Sequence, residues 1–143
     1  MSNGALSPLI DAQLGRLQAL QDLLEQETQA LLERDAETIE SLLKQKLRAL
    51  EELNQADQAL ANHPELTTLK ADEAAMAGVD RCRQRLTLCK ERNQHNSQLA
   101  EQYLASLGRL QQILNATRNP NAMTYNQEGT TTTGGRLGKA IKA

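Results

Sequence analysis

From Cys82, steps of four and three residues in alternation land on Leu86, Cys89, Asn93, Asn96, Ala100, Tyr103, Leu107, Leu110 and Leu114. A repeat averaging about 3.5 residues is the spacing of a coiled-coil face. A strand cannot present it, because strand side chains alternate with period two. The seam therefore predicts one long helix, capped by Asp72 and running to Arg118. Asn119-Pro120 ends it, since a residue before proline is pushed out of the α region.

Residue usage points the same way for the rest of the chain. There are 25 Leu but only five Ile and Val together, and neither Phe nor Trp. Leu keeps most of its rotamer freedom in a helix, whereas β-branched and aromatic residues favour strands. The expected fold is all-α with a Leu-filled core.

A first helix is predicted over residues 7–33, with Ser7 as N-cap and Pro8 at the first helical position, where no N–H is needed. Leu6, Ile10, Leu14, Leu17, Leu20, Leu24 and Leu31 mark its apolar face, with Thr28 as a polar interruption. Gly15 lies in this helix and is read as a point of close packing. Arg34 and Asp35 make a short break, and Asp35 caps a second helix striped by Ile39, Leu43, Leu47, Leu50, Leu53 and Leu60. Glu40–Lys44 and Arg48–Glu52 are opposite charges four apart, read as a solvated face. So short a connection allows only antiparallel neighbours, hence a hairpin. Asn62-His63-Pro64 stops the second helix, with His63 exposed and one or two short helical turns before Lys70. The expected architecture is an antiparallel hairpin packed on a longer third helix, a three-helix up-down-up bundle of coiled-coil type with a flexible C-terminal tail.

The lengths do not match. At ~1.5 Å per residue, a third helix of about 45 residues outruns partners of about 26 by roughly 28 Å. Tyr103, Leu107, Leu110 and Leu114 would lack cover, and an uncovered apolar stripe is a candidate partner-binding surface. Two other outcomes stay open: the helix breaks near Gly108 and folds back, or the stripe pairs two copies as a homodimer. Asn93 and Asn96 interrupt the seam with amides. Polar residues at such positions fix register or pairing state, or hydrogen-bond an incoming chain.

Residues 120–143 form a second region, distinct from the helical region 1–119. They contain four consecutive Thr and several Gly, and carry net charge +2 against −4 for the rest. Leu137 and Ile141, four apart, would share one side of a short helix that orders on a partner.

Several function classes are disfavoured. The net charge of −2 gives no general attraction to nucleic acid. No apolar run suits a membrane span, and residues 1–6 lack a signal-peptide layout. Cys82 and Cys89 are about 10.5 Å apart along one helix, too far for a disulfide, and read as small core residues in a reducing cytoplasm. Gly134-Gly135-Arg136-Leu137-Gly138-Lys139-Ala140 falls short of a phosphate-binding loop in its glycine spacing and in having Ala140 where a hydroxyl must hold Mg²⁺. No catalytic set, metal ligand set or cofactor is expected.

The run Cys89-Lys90-Glu91-Arg92-Asn93-Gln94-His95-Asn96, with its two Asn three apart, resembles the last helix of the FlgN family of flagellar type III export chaperones. Tyr125-Asn126-Gln127-Glu128-Gly129 resembles the short Tyr–Gly element that follows it. The resemblance implies a cytoplasmic, non-enzymatic chaperone. It would bind the hook–filament junction proteins FlgK and FlgL, prevent their early assembly and deliver them to the export gate protein FlhA. It also implies client binding by the C-terminal helix and tail, and gate docking by Tyr125. The alternative reading is a homodimeric coiled-coil adaptor or scaffold unrelated to secretion.

Overall fold

The computed structural model describes residues 3–118, with side chains from Leu6 onward; Tyr125, Leu137 and Ile141 lie outside the described residues. The chain forms α1 (Asn3–Glu33), α2 (Ala36–Ala61), a 3-10 helix (Leu66–Ala71) and α3 (Glu73–Arg118). No strand occurs among the described residues.

Local chemistry sets most of the boundaries. At the end of α1, Asp35 N donates to Ala30 O and Arg34 N to Leu31 O, the paired bonds of a Schellman cap. That cap needs a left-handed residue, and Arg34 takes the position with φ 56°. Asp35 then opens α2. Its Oδ1 accepts from Thr38 N at 3.2 Å and its Oδ2 from the Thr38 hydroxyl at 2.7 Å. The 3-10 helix follows Pro64, and Asp72 caps α3 by accepting from Ala75 N. His63 is half-buried rather than exposed, because its Nδ1 accepts the Glu65 N–H at 3.1 Å.

One boundary differs from expectation. α1 starts at Asn3, so Pro8 lies inside the helix and Ser7 is not its cap. The upstream turn carries Leu6 into a cluster with Ile10 and Ala75, where it is 2% exposed. Burying a Leu contributes about 1.5–3 kcal/mol, which offsets the helical bond that Pro8 does not donate.

α1 is the central helix. Cys82 Sγ, Cys89 Sγ and Asn96 Nδ2 each donate to an α1 carbonyl, those of Ile10, Leu17 and Leu24, every pair 72 residues apart. A constant offset means that α1 and α3 run in the same direction. α2 runs against α1: Glu27 meets Lys46, and further back along α1 Gln13 meets Leu53. α2 and α3 each pack along α1 but share little backbone contact with one another.

The core comprises three apolar clusters strung along α1. One at the hairpin end joins Ala30, Leu31, Ile39, Leu42, Leu43 and Tyr103. The middle cluster includes Leu17, Leu24, Leu53 and Cys89, and the third surrounds Leu6 and Ile10. Leu47, expected on the buried stripe of α2, is 44% exposed; Leu42 and Lys46 face inward instead. Gly15 is not a contact point, since a Cβ there would meet nothing within 4 Å. The close approach is at Gly78, where a Cβ would lie 2.8 Å from Ile10 Cγ2.

Candidate functional site

Between the hairpin-end and middle clusters lies a polar layer in which Glu27, Lys46 and Asn96 are buried and Thr28 and Asn93 half-buried. Lys46 Nζ lies 3.0 Å from Glu27 Oε2 and 3.0 Å from Asn93 Oδ1. Asn96 donates to Glu27 Oε1 and to Leu24 O, both at 2.8 Å. The Thr28 hydroxyl stands 2.5 Å from Asn96 Oδ1 and 3.0 Å from Leu24 O, so its one proton serves one of them at a time. A charged pair removed from water is tolerated only when its remaining hydrogen-bonding capacity is met, and here both Glu27 oxygens are engaged. One residue set thus ties all three helices at a single level.

Asn93 and Asn96 were visible in the seam; Glu27 and Lys46 were not read as buried. The signal was present. Leu6, Ile10, Gln13, Leu17, Leu20, Leu24, Glu27 and Leu31 follow the four-three alternation without a gap, as do Ile39, Leu43, Lys46, Leu50 and Leu53. Gln13 and Glu27 on α1 and Lys46 on α2 are the polar members that mask the continuity of these seams.

Beyond the hairpin, α3 continues unbroken through Gly108 to Arg118. Tyr103 is not part of the uncovered stripe. It is 7% exposed, its hydroxyl lies 3.5 Å from Arg34 O, and the Arg34 guanidinium sits 5.8 Å from the ring centre. The hairpin turn therefore covers α3 as far as Tyr103, and the overhang is residues 104–118, about 22 Å. It is shorter than expected because α1 is 31 residues long and lies in register with α3. Leu107, Leu110 and Leu114 are 40%, 54% and 48% exposed, and Ile113, off the seam and missed by the stepping, is 62% exposed.

A second apolar surface appears at the other end. α2 and α3 part there and leave an open cleft of about 490 Å³ floored by α1. Leu6, Ile10 and Leu17 form its floor, Leu50 and Leu53 one wall, and Val79, Cys82 and Leu86 the other. Leu66 and Leu69 of the 3-10 helix close one end. Asp57 and Arg83 are its charged members, on opposite walls. Periodicity could not reveal this cleft, because each lining residue reads as ordinary core until the missing α2–α3 contact is seen.

The two thiols differ in setting. Cys89 is buried and Cys82 is half-buried at the cleft wall. Burial raises both thiols above the usual cysteine range, with Asp11 adding to the effect at Cys82 and Arg85 opposing it at Cys89. Both are neutral at physiological pH and behave as small core residues.

Two open apolar surfaces on a helical frame are of the kind that partner proteins cover. The particular family follows from comparison: the model of the FlgN protein family matches residues 1–133, and the chain belongs to that family. FlgN proteins are a family of flagellar export chaperones and not of enzymes, which gives the chain that general role. No curated protein and no solved structure matches the chain. Among the described residues no helix is long and apolar enough to cross a membrane.

Proposed function

We propose that this chain is a cytoplasmic chaperone of the hook–filament junction proteins FlgK and FlgL, holding their terminal helices apart from assembly and carrying them to the export gate protein FlhA. The observation that carries this reading is the overhang of α3. Leu107, Leu110 and Leu114 continue the coiled-coil seam past Tyr103, and among the described residues no helix packs against them. An amphipathic client helix laid there buries its own apolar face, which blocks the client's self-assembly at the same stroke. Residues 1–119 then act as the helical frame and residues 120–143 as a partner-binding tail, with Leu137 and Ile141 joining the client and Tyr125 docking on FlhA. Asn93 and Asn96 set the seam's register.

The test compares the full chain with one ending at Arg118, by pull-down and light scattering against FlgK and FlgL. A complex weakened by truncation supports a chaperone that uses both helix and tail. A complex indifferent to truncation puts binding on the overhang alone. The same exposed heptad stripe also suits a homodimeric scaffold, so a dimer of the chain with no complex would replace the export reading.

A further inference from the structure

We propose that the cleft between α2 and α3 seats a second amphipathic helix of the client, about 11 to 14 residues long, as the missing fourth helix of this end of the molecule. The proposal rests on the chaperone reading above but concerns a site remote from the overhang.

The dimensions select the guest. The lined stretch runs about 21 Å along α1, from Leu6 to Leu20, and about 16 Å along α2, from Leu50 to Ala61. These lengths correspond to three or four helical turns. The volume is too small to enclose a whole helix and suits one apolar edge of side chains entering between the walls. The 3-10 helix stops the guest at one end through Leu66 and Leu69. At the other end Lys46 and Asn93 bridge α2 to α3.

Charge refines the choice. Asp57 stands on the α2 wall with no ion pair among the described residues, whereas Arg83 stands on the α3 wall, 3.7 Å from Asp80. A fitting helix carries a base on the flank that meets Asp57 and an acid on the flank that meets Arg83. The overhang of a second copy is a poorer guest. Residues 102–118 hold Arg109 and Arg118 and no carboxylate, so they can offer a base to Asp57 but no acid to Arg83. The chain's own tail is poorer still. Leu86 lies about 48 Å back along α3 from Arg118, so a segment that follows Arg118 would have to return along most of α3 to enter the cleft.

Cys82 supplies a native reporter at the cleft wall, with buried Cys89 as the internal reference. The experiment follows alkylation of both thiols by N-ethylmaleimide in the full chain, with and without purified FlgK. It is repeated for Leu86→Glu and Asp57→Lys, two substitutions at exposed positions. The expected result is a complex in which Cys82 reacts several-fold more slowly. Leu86→Glu should weaken FlgK binding by about tenfold or more, since it places a charge against the guest's apolar edge, and Asp57→Lys should weaken it less. Both variants should keep the parent melting temperature. A complex in which Cys82 reacts at its free rate and Leu86→Glu binds normally overturns the proposal and leaves the chaperone reading standing. Protection of Cys82 that grows with the concentration of the free chain identifies a second copy as the occupant and overturns it. Protection in the free chain that disappears when the chain ends at Arg118 identifies the tail and also overturns it. Failure of the parent chain to bind FlgK removes the chaperone reading and this proposal together.

Discussion

Lys46 Nζ lies 3.0 Å from Glu27 Oε2, with the two side chains 2% and 1% exposed. Such a pair adds little net stability over apolar residues, yet breaking it strands a charge. Lys46→Met should therefore cost roughly 3–5 kcal/mol. Adding Glu27→Leu should recover much of that loss while leaving Asn93 and Asn96 short of partners. Urea denaturation of both single variants and the double variant checks this. A double variant as unstable as the sum of the singles would show that the two residues act independently.

Leu107 and Leu110 are exposed at the overhang and contribute little to the core. Leu107→Glu with Leu110→Glu should abolish client binding and leave the far-ultraviolet helical signal unchanged. Loss of helicity in that variant would place the two residues in the fold and remove their role as a docking surface.

Gly15 and Gly108 should respond to alanine in the opposite sense to Gly78. A Cβ at Gly15 or Gly108 meets nothing within 4 Å, so Gly15→Ala and Gly108→Ala should each stabilise by about 0.5–1 kcal/mol through backbone entropy. Gly78→Ala places its methyl 2.8 Å from Ile10 Cγ2, a branched side chain that is 5% exposed. The overpacking, typically about 1–3 kcal/mol, outweighs the propensity gain. Thermal melts of the three variants decide the matter, and a stabilised Gly78→Ala would mean that Ile10 yields freely.

Asp35 should give the hairpin an acid-sensitive component. Its carboxyl is held below the usual carboxylate range, first by the Thr38 hydroxyl and then by the Thr38 backbone N–H. The folded state therefore favours the ionised form. Its contribution is present above the unfolded value, about pH 3.9, and is lost as pH falls through the lower folded value. The gap in denaturation midpoint between the parent and Asp35→Ala should be open at pH 7 and narrow on acidification into that range. A gap that does not change with pH would mean that the cap works equally well when neutral.

The caps explain why so much of the fold was legible. Asp35, Asn62 and Asp72 carry their signals within three or four residues, and the helices begin and end beside them. The third helix was legible because its seam repeats without a gap to Leu114. Pro8 misled because a local preference was overridden by the distant burial of Leu6 against Ala75. Glu27 and Lys46 give no local sign of burial, because the partners that make it tolerable lie on other helices. The cover on Tyr103 depended on the relative axial position of α1 and α3, which no single helix encodes. The cleft depended on the absence of contact between two helices, which leaves no mark on either sequence.

The constant offset of 72 residues between α1 and α3 also bears on how the molecule assembles. The Glu27–Lys46 contact closes a loop of 19 residues, whereas every α1–α3 contact must close one nearly four times longer. The added closure entropy is about 1.2 kcal/mol, and contacts of greater sequence separation form later. The hairpin should then nucleate first, with α3 docking onto a preformed surface as the final step. Local opening of the native state should reverse that order and release α3 as a unit, so its amides should exchange with solvent before those of the hairpin. The helix that carries the overhang is thus the last to be secured and the first to be let go.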